Sequence, residues 1–70
     1  MARFTYNDIV QARGSAEANF RPGERAWIIA VLEDRSLYPF PSFPPGAVYT
    51  VEFEDGDALD VPEDYLQAAD

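Results

Sequence analysis

The side chains able to do chemistry in this 70-residue chain are almost all carboxylates. Thirteen Asp and Glu stand against five basic residues, all of them arginine, and there is no His or Cys. Neither a Ser–His nor a Cys–His nucleophile can be assembled from that set, so Ser15, Ser36 and Ser42 have no base to activate them. Thiolate and imidazole zinc sites are excluded, and no disulfide can staple the fold. Carboxylate chemistry remains: a general acid–base pair, oxygen ligands for a hard cation, or a charged surface. The string Glu54-Asp55-Gly56-Asp57 offers oxygens, but it lacks both the Asp-x-Asp-x-Asp-Gly spacing of a calcium loop and a Glu six residues after the Gly. A hydrolytic pair would need a pocket, which so small a filled core rarely holds. Neither a metal nor another cofactor is expected, and no enzymatic activity.

The charged-surface reading has the most to work with. Residues 1–35 carry all five arginines and five acids; residues 36–70 carry eight acids and no base. The whole net charge of −8 therefore lies in the second half, concentrated in the arc Glu52, Glu54, Asp55, Asp57, Asp60, Glu63 and Asp64. Such a field repels nucleic-acid phosphates and anionic membrane, and it attracts basic proteins. The same acids also keep a small protein in solution. A second candidate lies in Leu37-Tyr38-Pro39-Phe40-Pro41-Ser42-Phe43-Pro44-Pro45-Gly46, where rings braced by proline lose little freedom on binding. Tyr38, Phe40 and Phe43 are its anchors, although a chain this short needs large apolar side chains for its core, and at least two of these rings are expected to cover an open end.

These side chains need elements to hold them. Ile9-Val10-Gln11-Ala12 suits a short strand, preceded by the strand-like alternation of Phe4 and Tyr6 and a turn at Asn7-Asp8. Gly14 to Asn19 reads as a loop with room for a turn of helix. Arg21-Pro22-Gly23-Glu24 has Pro and Gly where a type II turn wants them. Arg25 to Leu32 is the longest apolar run and predicts a central strand buried on two sides, with Trp27 in the core. The proline-dense stretch 37–46 predicts a stiff extended loop. Tyr49, Val51 and Phe53 alternate with Thr50 and Glu52, a half-buried strand.

Register after that strand follows from face matching, because directly paired residues point to the same side. A two-residue Asp-Gly loop would set Val51 against Asp60. A three-residue loop Glu54-Asp55-Gly56 sets Val51 against Leu59, Tyr49 against Val61 and Thr50 against Asp60, with Gly56 in the left-handed position of a bulge. The three-residue loop is expected, which puts Glu52 and Asp60 on one solvent face and Asp55 and Asp57 at the tip. Pro62-Glu63-Asp64 starts a short helical turn, after which Leu66 returns to the core and Gln67 to Asp70 fray. Four or five short strands with one such turn predict a single all-β domain over residues 1–70, a small SH3-like antiparallel barrel.

Two resemblances add to this reading. Val48 to Gly56, continued by Leu59 to Leu66, is similar to the closing part of the nitrile hydratase β-subunit barrel, and Phe20-Arg21-Pro22-Gly23-Glu24-Arg25 looks like its opening. The His-rich, Arg-Gly-containing segment of that subunit and its helical part are absent here. The resemblance thus implies an accessory or assembly subunit of a metalloenzyme, without the enzyme role. Phe4 to Val10, with the Val48–Phe53 strand and the acidic Pro-Glu turn, resembles small SH3-like immunity proteins of bacterial toxin systems. That likeness implies a non-catalytic protein that binds and inhibits a basic toxin of nuclease or ADP-ribosyl transferase type. The partner would meet Glu52, Glu54, Asp55, Asp57, Asp60, Glu63 and Asp64, with Tyr38, Phe40 and Phe43 as apolar anchors. The start Met1-Ala2-Arg3-Phe4-Thr5-Tyr6-Asn7-Asp8 has no apolar signal segment, so a cytoplasmic protein beginning at its own start codon is expected.

Overall fold

The computed structural model describes residues 2–69. Five strands form one antiparallel sheet: β1 (Ile9–Ala12), β2 (Arg25–Leu32), β3 (Val48–Phe53), β4 (Ala58–Pro62) and β5 (Leu66–Ala68). Their spatial order is β4-β3-β2-β1-β5. This is the SH3-like arrangement expected, left open: β4 and β5 are the two edges and meet only through a single 3₁₀ turn, Glu63–Tyr65. A second 3₁₀ turn, Ala18–Phe20, lies between β1 and β2.

The β3–β4 hairpin has the register that face matching requires, with Val51 opposite Leu59, Tyr49 opposite Val61 and Thr50 opposite Asp60. Gly56 has φ +92°, and the tip closes through Gly56 N–H to Phe53 O (2.9 Å) and Phe53 N–H to Asp57 O (2.8 Å). The Pro22-Gly23 turn forms as well, Gly23 taking φ +84° and the Glu24 N–H reaching Arg21 O at 3.2 Å. The main core cluster lies on one side of the sheet, and the paired Val48 and Pro62 are buried outside it. It gathers Val10 and Ala12 from β1, Ala26 and Ile28 from β2, Tyr49, Val51 and Phe53 from β3, Val61 from β4 and Leu66 from β5, with Phe20 beneath them.

Four expectations are corrected. β2 is not buried on two sides: Ala26 and Ile28 are buried, but Trp27 is half-buried and Ile29 exposed, and neither belongs to the core cluster. A lone bent sheet has a single interior, and a bulge between Ile28 and Ala30 turns the continuous apolar run partly outward. Phe4 and Tyr6 form no strand; Phe4 packs edge-on against Tyr49, while Tyr6 is exposed. Gln67 does not fray, because β5 pairs with β1 and supplies the partner that β1 lacks on its other side; Asp70 lies outside the described residues. Finally, the 37–46 loop is folded, not extended, and the cause is Arg35.

Proline removes backbone donors and leaves the carbonyls, so a proline-dense loop carries surplus acceptors. Arg35 supplies the missing N–H groups. Its Nε donates to Tyr38 O (3.0 Å), Nη1 to Pro44 O (2.6 Å) and Gly46 O (3.0 Å), and Nη2 to Pro39 O (2.7 Å), Phe40 O (2.9 Å) and Phe43 O (3.4 Å). Winding the loop about one guanidinium forces Phe40 to φ +39°, a costly conformation for a ring-bearing residue.

Candidate functional site

The acids of the arc fall into distinct settings. At the hairpin tip, Arg21 reaches across from the turn before β2. Its Nη2 contacts Asp55 Oδ2 at 3.0 Å and Glu24 Oε1 at 2.6 Å, and its Nη1 lies 3.4 Å from Asp57 Oδ2. The guanidinium also stacks over the Phe53 ring, 4.1 Å from its centroid. Arg21 is itself held at φ +55°, ending the 3₁₀ turn in a left-handed conformation more usual for Gly or Asn. The hydrogen bonds that Arg21 donates to Glu24 and Asp55 raise its pKa, and the bond accepted from Arg21 keeps the Asp55 carboxyl below the usual carboxylate range. The single guanidinium therefore holds Asp55 closely and Asp57 only at its margin, and it offsets one of the three charges of Glu24, Asp55 and Asp57.

Near the other end of the arc, Glu63 is tied to the N-terminal segment. The hydroxyl of Tyr49, a fully buried residue, donates to Glu63 Oε2 at 2.5 Å and accepts from the backbone N–H groups of Arg3 (3.0 Å) and Phe4 (3.2 Å). The Arg3 N–H also reaches Glu63 Oε2 at 2.9 Å. Burial, then the bond to Glu63, pushes the Tyr49 phenol up to about 12. Partial burial works to raise Glu63, but the bonds from Tyr49 and the Arg3 backbone outweigh it and hold the carboxyl below its ordinary value. Asp64 is exposed, and its backbone carbonyl accepts from Arg13 Nε at 3.1 Å.

Glu52 and Asp60 stand on the outer face of the sheet. Glu52 lies directly opposite Trp27 and accepts from the indole Nε1–H at 3.2 Å; Asp60 lies opposite Thr50 and accepts from its hydroxyl at 2.7 Å. Among the described residues no arginine pairs with either. Glu54 lines a shallow hollow of about 410 Å³ with Arg21, Glu24, Arg25 and Asp55. Three acids meet there, but a general acid needs a raised pKa, whereas Asp55 is depressed and stays ionised.

The aromatic loop divides in two. Phe40 stacks on Phe43 (5.3 Å between centroids), Phe43 meets Phe20 (6.0 Å) and Phe20 meets Tyr65 (5.4 Å), a chain of rings that closes one end of the sheet. Leu37 and Tyr38 stay outside it, 70 % and 43 % exposed. Sequence reasoning missed the outer-face group Trp27, Ile9 and Ile29, because the apolar run 25–32 concealed the bulge. Ile29-Ala30 following Trp27-Ile28 carries no turn residue that would have announced it.

The fold is a small open sheet of five antiparallel strands whose acidic arc is divided among the hairpin tip, the closing turn and the outer face. No protein-family model, no curated protein and no solved structure matches the chain. No helix among the described residues is long and apolar enough to cross a membrane.

Proposed function

We propose that this chain is a non-catalytic protein-binding module that works as an immunity protein, occupying the basic surface of a bacterial toxin and blocking it. The observation that carries the reading is the separation of charge: a neutral first half and a second half holding the entire −8, displayed largely on one hairpin. A nuclease or ADP-ribosyl transferase presents a basic cleft to its anionic substrate, and a rigid acidic hairpin complements such a cleft. Complementarity of this kind speeds association and selects the partner, while apolar contacts slow release. Leu37 and Tyr38, presented by the Arg35-wound loop, suit the apolar part.

The test is affinity capture by the immobilised chain from its native host, identification by mass spectrometry, and assay of the purified partner with and without the chain. A basic toxin inhibited at equimolar ratio, with association slowed by added salt, is the expected result. Recovery of a metalloenzyme subunit that needs the chain for assembly overturns the toxin reading in favour of the accessory-subunit role. A partner whose association rate ignores salt overturns the electrostatic account.

A further inference from the structure

The outer face of the sheet carries a row that crosses four strands in register: Ile9 on β1, Trp27 on β2, Glu52 on β3 and Ala58 on β4. The adjoining row sets Ala30, Thr50 and Asp60 side by side. Ile9 and Ile29 are 37 % and 36 % exposed, and with Trp27 they stand outside the core cluster. The result is an uncovered apolar strip along β1 and β2 bordered on β3 and β4 by two carboxylates.

The five arginines decide what this face can accept. Arg21 is committed to the hairpin tip and Arg35 to loop carbonyls. Arg13 bonds the Asp64 carbonyl, Arg3 lies over the Phe4 ring, and Arg25 shares the hollow beside Glu54. Among the described residues none of them forms an ion pair with Glu52 or Asp60. Each spends one oxygen on a neighbour, Glu52 Oε1 on the indole and Asp60 Oδ1 on Thr50, leaving Oε2 and Oδ2 for an incoming donor. A second copy of the chain would bring these acids against their like, and nucleic acid or an anionic lipid surface is repelled for the same reason.

We infer that this face docks a basic protein partner, seating an arginine or lysine side chain over Trp27 between Glu52 and Asp60, with a neighbouring apolar residue of the partner against Ile9 and Ile29. The indole attracts the cation through its ring face, and the indole N–H bond to Glu52 fixes both groups before binding. The inference rests on the reading of the chain as a binding module, but it moves the contact from the tip, where Asp55 already holds Arg21, to the sheet.

The probe is an acetylated, amidated Leu-Arg-Leu-Arg-Leu peptide, with a control in which Glu replaces both arginines. Trp27 is the single tryptophan, so its indole N–H resonance and its fluorescence report from the middle of the face. The basic peptide should shift the indole N–H and the Ile9 and Ile29 methyls saturably, and the acidic control should not. The double variant Glu52→Gln, Asp60→Asn should weaken binding about tenfold or more. The tip pair Asp55→Asn, Asp57→Asn should change it less than about twofold, since both acids lie in the hairpin loop, outside the paired rows that form the face. An unmoved indole, equal binding of the acidic control, greater loss in the tip pair, or self-association through the face overturns the inference. A captured toxin that binds the Glu52→Gln, Asp60→Asn variant unchanged also overturns it and leaves the toxin reading standing. Peptide binding at the face with no toxin captured does the reverse.

Discussion

Tyr49→Phe isolates the contact that fastens the N-terminal segment to the closing turn. The ring is fully buried and edge-packed on Phe4 at 5.5 Å, and phenylalanine keeps that packing. What disappears is the hydroxyl: one bond donated to Glu63 at 2.5 Å and two accepted from Arg3 and Phe4. The Arg3 N–H retains Glu63 as partner, so the Phe4 N–H is the group left wanting. A hydrogen bond to a charged group contributes about 1.5–3 kcal/mol, so a loss of about 2 kcal/mol at pH 7 is expected. Seventy residues support a total of roughly 4–10 kcal/mol, which makes this a large fraction. The melting temperature should fall by about 8–16 °C for a domain of this size.

The pH dependence supplies a sharper check. The phenol is raised from 10.0 to about 12 in the fold. Between those values the unfolded chain has lost the proton and the folded chain still holds it, so stability is full below pH 10 and falls as pH rises toward 12. A rise of that size converts to at most about 2.7 kcal/mol, which solvent around the half-buried Glu63 partner reduces to about 1–2. Urea unfolding followed by Trp27 fluorescence at pH 7, 9, 10 and 11 should show the wild type losing this increment and Tyr49→Phe lacking it. A variant within about 0.5 kcal/mol of wild type at pH 7, or with the same alkaline slope, would refute the latch.

Three further outcomes follow from the same contacts. Arg35→Ala should leave six loop carbonyls without their donor, costing about 2–4 kcal/mol and exposing backbone amides of residues 36–46 to fast hydrogen exchange, whereas unchanged exchange there would contradict the winding role. Gly56→Ala places a Cβ at φ +92° and should cost about 1–2 kcal/mol by urea titration, with the β3–β4 register kept in amide NOEs; a neutral substitution would remove the bulge argument. Arg21→Gln should steepen the stabilisation seen on raising NaCl from 20 to 500 mM, because Glu24, Asp55 and Asp57 then lose the cation among them and salt screens their mutual repulsion. A shallower salt response than wild type would mean that the tip acids repel nothing.

Much of this architecture is written in local signals. The alternation of Tyr49, Val51 and Phe53, with one glycine at position 56, determines the hairpin register, because a slip by one residue turns Val51 outward and Thr50 inward. Pro22-Gly23 marks its turn equally plainly. The misread parts depend on distant partners. Nothing near Arg21 announces Asp55, 34 residues away, and their ion pair is invisible until the hairpin folds back. The burial of β2 depends on how many layers the fold has, and 70 residues furnish one interior where the apolar run 25–32 suggested two covered faces. Arg35 had a signal that went unread: five N–H donors standing next to a stretch rich in proline and therefore in unpartnered carbonyls.

Which acids are available for binding is consequently decided by the arginines, not by the acids themselves. Counted along the chain, Glu52, Asp55, Asp57 and Asp60 look equivalent. In the fold, Asp55 and, at longer range, Asp57 face one guanidinium that is further anchored by Glu24 and the Phe53 ring, and a partner's cation would have to compete with Arg21 for Asp55. Displacement exchanges one ion pair for another and gains little. Glu52 and Asp60 require no such exchange, and they border Trp27, whose apolar surface adds the burial that charge alone does not supply. On that reasoning the left-handed Arg21 is a device of selection. Its left-handed backbone aims one positive charge at the hairpin tip, where Asp55 holds it, and among the described residues Glu52 and Asp60 in the middle of the sheet have no such arginine.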